Sequence, residues 1–149
     1  MAFEVINILT LLGTSTDVEA VVGSFNIDIG DSSTLLAPNK LKFYSDHFCP
    51  YDDLSNTSKN FPNVKIKVEF ADEDLGHNVG SFYIKDGVVT DTVLPKGGSD
   101  EAYEMAIYIT GDEFFITDFL YALEEDEITE EFPELCIKLA YTFRKCSNA

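Results

Sequence analysis

Val64-Lys65-Ile66-Lys67-Val68-Glu69-Phe70 alternates apolar and charged residues without a break. Successive side chains of a β-strand point to opposite faces. Val64, Ile66, Val68 and Phe70 therefore line a core, while Lys65, Lys67 and Glu69 face outward. The pattern predicts a half-buried strand in a sheet with one strongly apolar face. Were that sheet covered on both faces, Lys65 and Lys67 would be buried charges in need of partners. This part of the sheet is expected to meet water or the acidic elements of the chain.

The strand organises its neighbours. Residues 71–80 turn the chain, and Ser81-Phe82-Tyr83-Ile84-Lys85 returns it as a second strand. Asp86-Gly87 is a two-residue hairpin signal that leads into Val88-Val89. Upstream, residues 3–12 (Phe-Glu-Val-Ile-Asn-Ile-Leu-Thr-Leu-Leu) are apolar on both alternating sets, which predicts a strand covered on both sides. Gly13 ends it. Ser15 or Thr16 can cap a helix over 16–25, with Val18, Val21, Val22 and Phe25 on its buried stripe. Short strands are open to Ile27–Ile29 or Leu35–Leu36, and Leu41-Lys42-Phe43-Tyr44 reads as a strand. A helix over 51–59 docks through Tyr51 and Leu54, with Phe61 just beyond it.

The second half is more ambiguous. Ser99 is an N-cap for a helix that starts with Asp100 and Glu101. Met105, Ile107 and Ile109 alternate, so helix and strand compete over 105–110. Phe115, Phe119 and Leu123 mark an amphipathic helix over 112–126. Leu135, Ile137, Leu139, Tyr141 and Phe143 mark a final strand. Phe61-Pro62-Asn63-Val64 is echoed by Phe132-Pro133-Glu134-Leu135, either a duplicated α-β unit or one helix-to-strand joint used twice.

Composition limits the function. Ten Lys and Arg against 27 Asp and Glu give the 149 residues a net charge of −17, with 45% hydrophobic residues and no Trp. That is a globular composition, suited to a single acidic α+β domain over 1–149. Residues 99–149 then either extend its sheet or form a further α-β unit. So few basic residues make a poor track for phosphates, so neither direct nucleic-acid binding nor attachment to an anionic membrane is expected. No run of residues is long and apolar enough for a membrane span, and Met1-Ala2-Phe3-Glu4 lacks the basic start of a secretory signal. Cys49, Cys136 and Cys146 are odd in number and lack CxxC spacing, which suits a reducing cytoplasm.

Two regions carry chemistry. Between Gly97 and Ile137 lie 13 acidic residues and no Lys or Arg. The densest part, Glu124, Glu125, Asp126, Glu127, Glu130 and Glu131, reads as a solvated face or as a docking surface for a basic partner. Asp72, Glu73, Asp74, His77 and Asn78 form the other dense constellation. Carboxylates and an imidazole suit a divalent cation or acid–base work, but the EF-hand spacing is absent and a glycine-containing turn explains the same residues. His47 and Cys49 are two ligands at most, short of a zinc site. Gly97-Gly98-Ser99 is an anion site or, more simply, a helix cap. No Walker, GxGxxG, HExxH or GxSxG motif is present, and no cofactor is implied.

Asn7-Ile8-Leu9-Thr10 with Gly13, the Asn60-Phe61-Pro62 joint, the Phe70–Gly80 acidic turn and Ser99-Asp100-Glu101-Ala102-Tyr103 together resemble the YubB ferredoxin-like family. These are small phage- and plasmid-borne proteins, largely of unknown function, and the resemblance covers patches of the first 105 residues or so. Many members carry a Trp-Ser-Pro-Pro-like segment where this chain reads Ser45-Asp46-His47-Phe48-Cys49-Pro50. The resemblance implies a ferredoxin-like α+β fold. Its sheet is expected to be mixed, mostly antiparallel, with helices packed on one face. With the missing catalytic motifs, it also implies a non-enzymatic accessory protein of a mobile element that acts by protein–protein binding. The alternatives are an acidic DNA mimic that occupies a basic nucleic-acid site, and a metal-dependent binder or enzyme built on the 72–78 loop.

Overall fold

The computed structural model describes residues 4–28, 34–74 and 76–110. In chain order these form β1 (Glu4–Leu12), α1 (Ser15–Asp28), β2 (Thr34–Ala37), β3 (Lys40–Asp46), α2 (Tyr51–Lys59), β4 (Lys65–Asp72), β5 (Val79–Lys85), β6 (Val88–Val93) and α3 (Asp100–Thr110). The strands make one six-stranded sheet in the order β2-β3-β1-β4-β5-β6. Every pairing among the described strands is antiparallel. Through β4, the order β2-β3-β1-β4 with a helix after β1 and another after β3 is the split β-α-β arrangement of a ferredoxin-like fold. β5 and β6 widen that sheet beyond β4.

β1 is the middle of the structure. Asn7 stands opposite Phe43 on one side and Phe70 on the other. Its apolar residues on both alternating sets are buried, as their pattern predicts, except Leu12 at its end, which is exposed. Val5, Leu9 and Leu11 meet Val18, Val21 and Phe25 of α1 and Leu54 of α2, together with Val64, Ile66, Val68, Phe70, Phe82 and Ile84. Aromatic rings fill this layer. Tyr51 stacks on Phe82 with centroids 4.6 Å apart and meets Phe70 edge-on at 6.1 Å.

Local chemistry sets the joints. Thr14, one residue before the expected caps, starts α1: its Oγ1 accepts from the Asp17 N–H and donates to the Asp17 carboxylate. This cap satisfies one of the N–H groups that a helix start leaves open, and the Asp17 carboxylate holds the Thr14 hydroxyl in place. The β5–β6 turn has φ 49 at Asp86 and φ 76 at Gly87, the positive pair that a type I′ hairpin requires. α2 pins that turn. Ser55 Oγ donates to Gly87 O at 2.9 Å, and Gly87 N–H donates to the buried Ser58 Oγ at 3.2 Å. In β6 four residues, Thr90 to Val93, span the distance that three, Ser81 to Tyr83, cover in β5, and Asp91 sits in the resulting bulge at φ 50.

Two expectations are corrected. The sheet is antiparallel in every described pairing and not mixed, and the helices do not all lie on one face. α3 packs through Ala102, Ala106 and Ile109 on Ile6, Ile8, Ala71 and Val79, which point away from α1 and α2. The alternation of β1 and β4 demands this, because Ile6 and Ile8 are apolar on the second face and need cover. The competition over 105–110 is settled as helix. The expected helix over 112–126, the strand from Leu135 and the second Phe-Pro joint lie outside the described residues. So do Cys136, Cys146 and the acidic residues Glu124, Glu125, Asp126, Glu127, Glu130 and Glu131.

Candidate interaction surfaces

The 72–78 constellation is a latch. Asp72 ends β4 and is 7% exposed. Its Oδ1 accepts from the Asp74 N–H at 2.9 Å and its Oδ2 from Asn78 Nδ2 at 3.0 Å. Asn78 Nδ2 also donates to His47 O at 2.8 Å, which ties the β3–α2 connection to this turn. Both linked residues hold positive φ, 49 at Asn78 and 65 at His47. Gly76 has φ 84, and a Cβ there would fall 2.5 Å from the Tyr103 ring. Only glycine lets α3 come this close. Gly98 N–H donates to Gly76 O at 2.9 Å, and the His77 ring meets Tyr103 edge-on with centroids 6.5 Å apart.

Each candidate residue can now be placed. Asp72 is buried and spends both oxygens inside the turn, Glu73 is half-buried, and Asp74 and His77 are exposed. Among the described residues, no three His, Cys, Asp or Glu side chains are grouped to hold a metal ion. His47 is exposed, whereas Cys49 is buried and its thiol is pushed up to about 12 by desolvation. A thiol held neutral is a poor nucleophile and a poor ligand. Ser99 caps α3 by accepting from the Ala102 N–H at 3.2 Å, the simpler reading of Gly97-Gly98-Ser99.

Two surfaces that the sequence reading did not single out emerge from the fold. The first is a pair of adjoining grooves beside α3. One is lined by Glu101, Glu104, Met105 and Tyr108; the other holds Val93, Leu94, Pro95 and Lys96, and they share Glu101. Tyr108 is 77% exposed and Leu94 59%. Spacing of i, i+3 and i+7 puts Glu101, Glu104 and Tyr108 on one outward stripe.

The second surface is the end of the sheet's α3 side that lies away from that helix. By register, Lys40 and Lys67 flank Thr10, and Lys65 faces Leu12. Lys42 is opposite Ile8 on β3, and Lys85 and Tyr83 share this face on β5. Half of the ten basic residues of the chain thus meet on one part of one sheet face. Lys65 Nζ lies 4.6 Å from the centre of the Tyr83 ring and Lys42 Nζ 5.9 Å from that of Tyr44. The alternating Lys pairs at 40/42 and 65/67 were the visible signal, but only strand order brings the two pairs together.

Among the described residues no helix is long and apolar enough to cross a membrane. No curated protein and no solved structure matches the chain. A family model described as the ferredoxin-like domain in Api92-like protein matches residues 40–132, more than half of the sequence and including everything from β3 to α3. The sheet order and that match agree, and the chain belongs to the family of ferredoxin-like domains found in Api92-like proteins.

Proposed function

We propose that the protein is a non-enzymatic accessory protein of a mobile genetic element, acting in the cytoplasm by binding another protein. The groove beside α3 carries this reading. Tyr108, Leu94 and Val93, with the half-buried Met105, present apolar surface among the described residues, with Glu101 and Glu104 along the same stripe. An exposed tyrosine with apolar neighbours is a typical interface anchor. The flanking carboxylates favour a partner segment that is apolar in the middle and basic at its edges. Asp72 supports a binding role over a catalytic one, since its carboxylate is consumed by the latch. The YubB-like motifs at Asn7–Thr10, Phe61-Pro62 and 70–80 support the mobile-element setting.

The test compares wild type with Tyr108→Ala and Glu104→Lys. A protein captured by wild type is purified and titrated by calorimetry. Each substitution is expected to weaken binding about tenfold or more while the melting temperature stays within a few degrees. A partner that binds all three proteins alike excludes this groove as its site.

A further inference from the structure

We propose that the lysine-bearing end of the sheet is a second docking surface, and that it takes an acidic polypeptide segment with an apolar stripe from a partner protein. The geometry is that of a channel. Its floor is the end of β1, where Thr10 is half-buried and Leu12 is 44% exposed. One bank is Lys40 and Lys42 on β3; the other is Lys65 and Lys67 on β4, with Lys85 beyond on β5. The banks are two strand spacings apart, about 9.5 Å. An α-helix with its side chains is about 10–12 Å across, so one lying along β1 sets its apolar stripe on Leu12 and its two flanks over the two lysine banks.

The charge pattern selects the occupant. On the sheet strands at this end of the face, Glu69 is the carboxylate among the described residues, and it stands 4.0 Å from Lys67. Glu4 and Asp46 share the face but pair with each other at its opposite end. Screening shortens electrostatic reach to about 8 Å at physiological salt, so the banks act locally despite the net charge of −17. A nucleic acid fits less well. All five basic residues are Lys, which lack the planar fork of Arg for phosphate. Single strands favour a row of open rings, whereas Tyr83 already lies under Lys65. A short acidic segment also brings less charge toward an acidic protein than a polyanion does.

This surface shares no residue with the α3 groove, so the two proposals fail separately. The experiment is fluorescence anisotropy of full-length protein with a labelled amphipathic peptide, leucines on one stripe and glutamates on both flanks. Wild type is expected to bind at low salt and to weaken as salt rises. Lys65→Glu with Lys67→Glu, and Lys40→Glu with Lys42→Glu, are each expected to lose about tenfold or more. The corresponding Gln variants, which keep size and folding, lose less but in the same order. Leu12→Asp weakens binding and Leu12→Met preserves it. Equal affinity for a glutamine-flanked peptide overturns the proposal, and so does equally tight binding of a thymidine oligonucleotide. If wild type binds nothing but a variant with Glu124, Glu125, Glu127 and Glu130 changed to Gln does, the acidic run of this chain competes for the face and the partner assignment falls. No binding in either protein also overturns it.

Discussion

The two faces of the sheet are built from the same strands and do different work. On the α1 and α2 side, Val5, Leu9, Leu11, Ile66, Val68, Phe82 and Ile84 are each no more than 1% exposed, and aromatic rings fill the space beneath the helices. On the α3 side the core is smaller, with Ala71, Ala102 and Ala106 among Ile6, Ile8, Val79 and Ile109, and cover ends part-way along β1. Along that side of β1, exposure runs from 0% at Ile6 and 9% at Ile8 to 44% at Leu12. The closed face supplies stability. The half-open face keeps charged and apolar groups exposed, and the proposed docking surface is built from them.

That contrast is most exposed to failure at adjacent residues of β1. Leu9→Ala opens a hole in the closed face and is expected to cost roughly 3–5 kcal/mol in urea unfolding. Ile8→Ala, one residue away on the α3 face, should cost about 2 kcal/mol, near the low end for such truncations. Equal losses would mean that α3 packs as tightly as α1 and α2, and the contrast would break. Next is the latch that anchors α3. Asp72→Ala leaves the Asp74 N–H and Asn78 amide without their charged acceptor and should cost about 1.5–3 kcal/mol. Asp72→Asn, which keeps an acceptor, should recover part of it. Hydrogen exchange should then rise in α3 more than in α1, and uniform exchange would show that the latch does not serve α3 alone.

A smaller, pH-dependent effect belongs to the closed face. Cys49 has its thiol pushed from its ordinary 9.0 to about 12 by burial. The folded chain therefore keeps a proton that the unfolded chain releases between those values. The contribution is complete below pH 9 and is lost as pH rises toward 12, by up to about 1.4 kcal/mol per pH unit. Burial raises the Tyr51 phenol in the same direction. Unfolding of wild type and Cys49→Ala from pH 8 to 10 should differ by a constant below pH 9 and converge above it. Parallel curves would mean that the thiol ionises freely in the folded state. The smallest effect is on the open face. Lys65→Gln and Lys67→Gln should each change stability by less than about 0.5 kcal/mol, and a larger loss would make these lysines part of the scaffold.

Much of the fold is legible in the sequence. Strict alternation at 64–70 placed β4 and its inward set, the apolar run at 3–12 placed a strand buried on both sides, and Asp86-Gly87 placed the hairpin. These signals are local, and local physics decides them. The side on which α3 packs is not local. It depends on which strands flank β1, and no residue of α3 encodes that. The same holds for surfaces. Asp72, Glu73, Asp74 and His77 are close in sequence, yet their partners are backbone groups, the Asn78 amide and Tyr103. The lysine banks and the α3 groove join residues far apart in the chain. A −17 total averages over the place where, among the described residues, five lysines gather.

The central position of β1 bears on how the chain is made. Among the described strands β1 is made before all its partners, which come much later: Asn7 waits for Phe43 on one edge and Phe70 on the other. Synthesis at about 5–20 residues per second leaves an apolar strand with two open edges for seconds. Until β4 emerges, Val5, Leu9 and Leu11 lack the partners that close the first face, and Ile6 and Ile8 wait longer still, until Ala102, Ala106 and Ile109 arrive. Pairings this distant in sequence slow folding even when the final structure is stable. During synthesis β1 is therefore open to aggregation and to chaperone capture, although its central residues, Val5 to Leu9, are buried once its partners have paired.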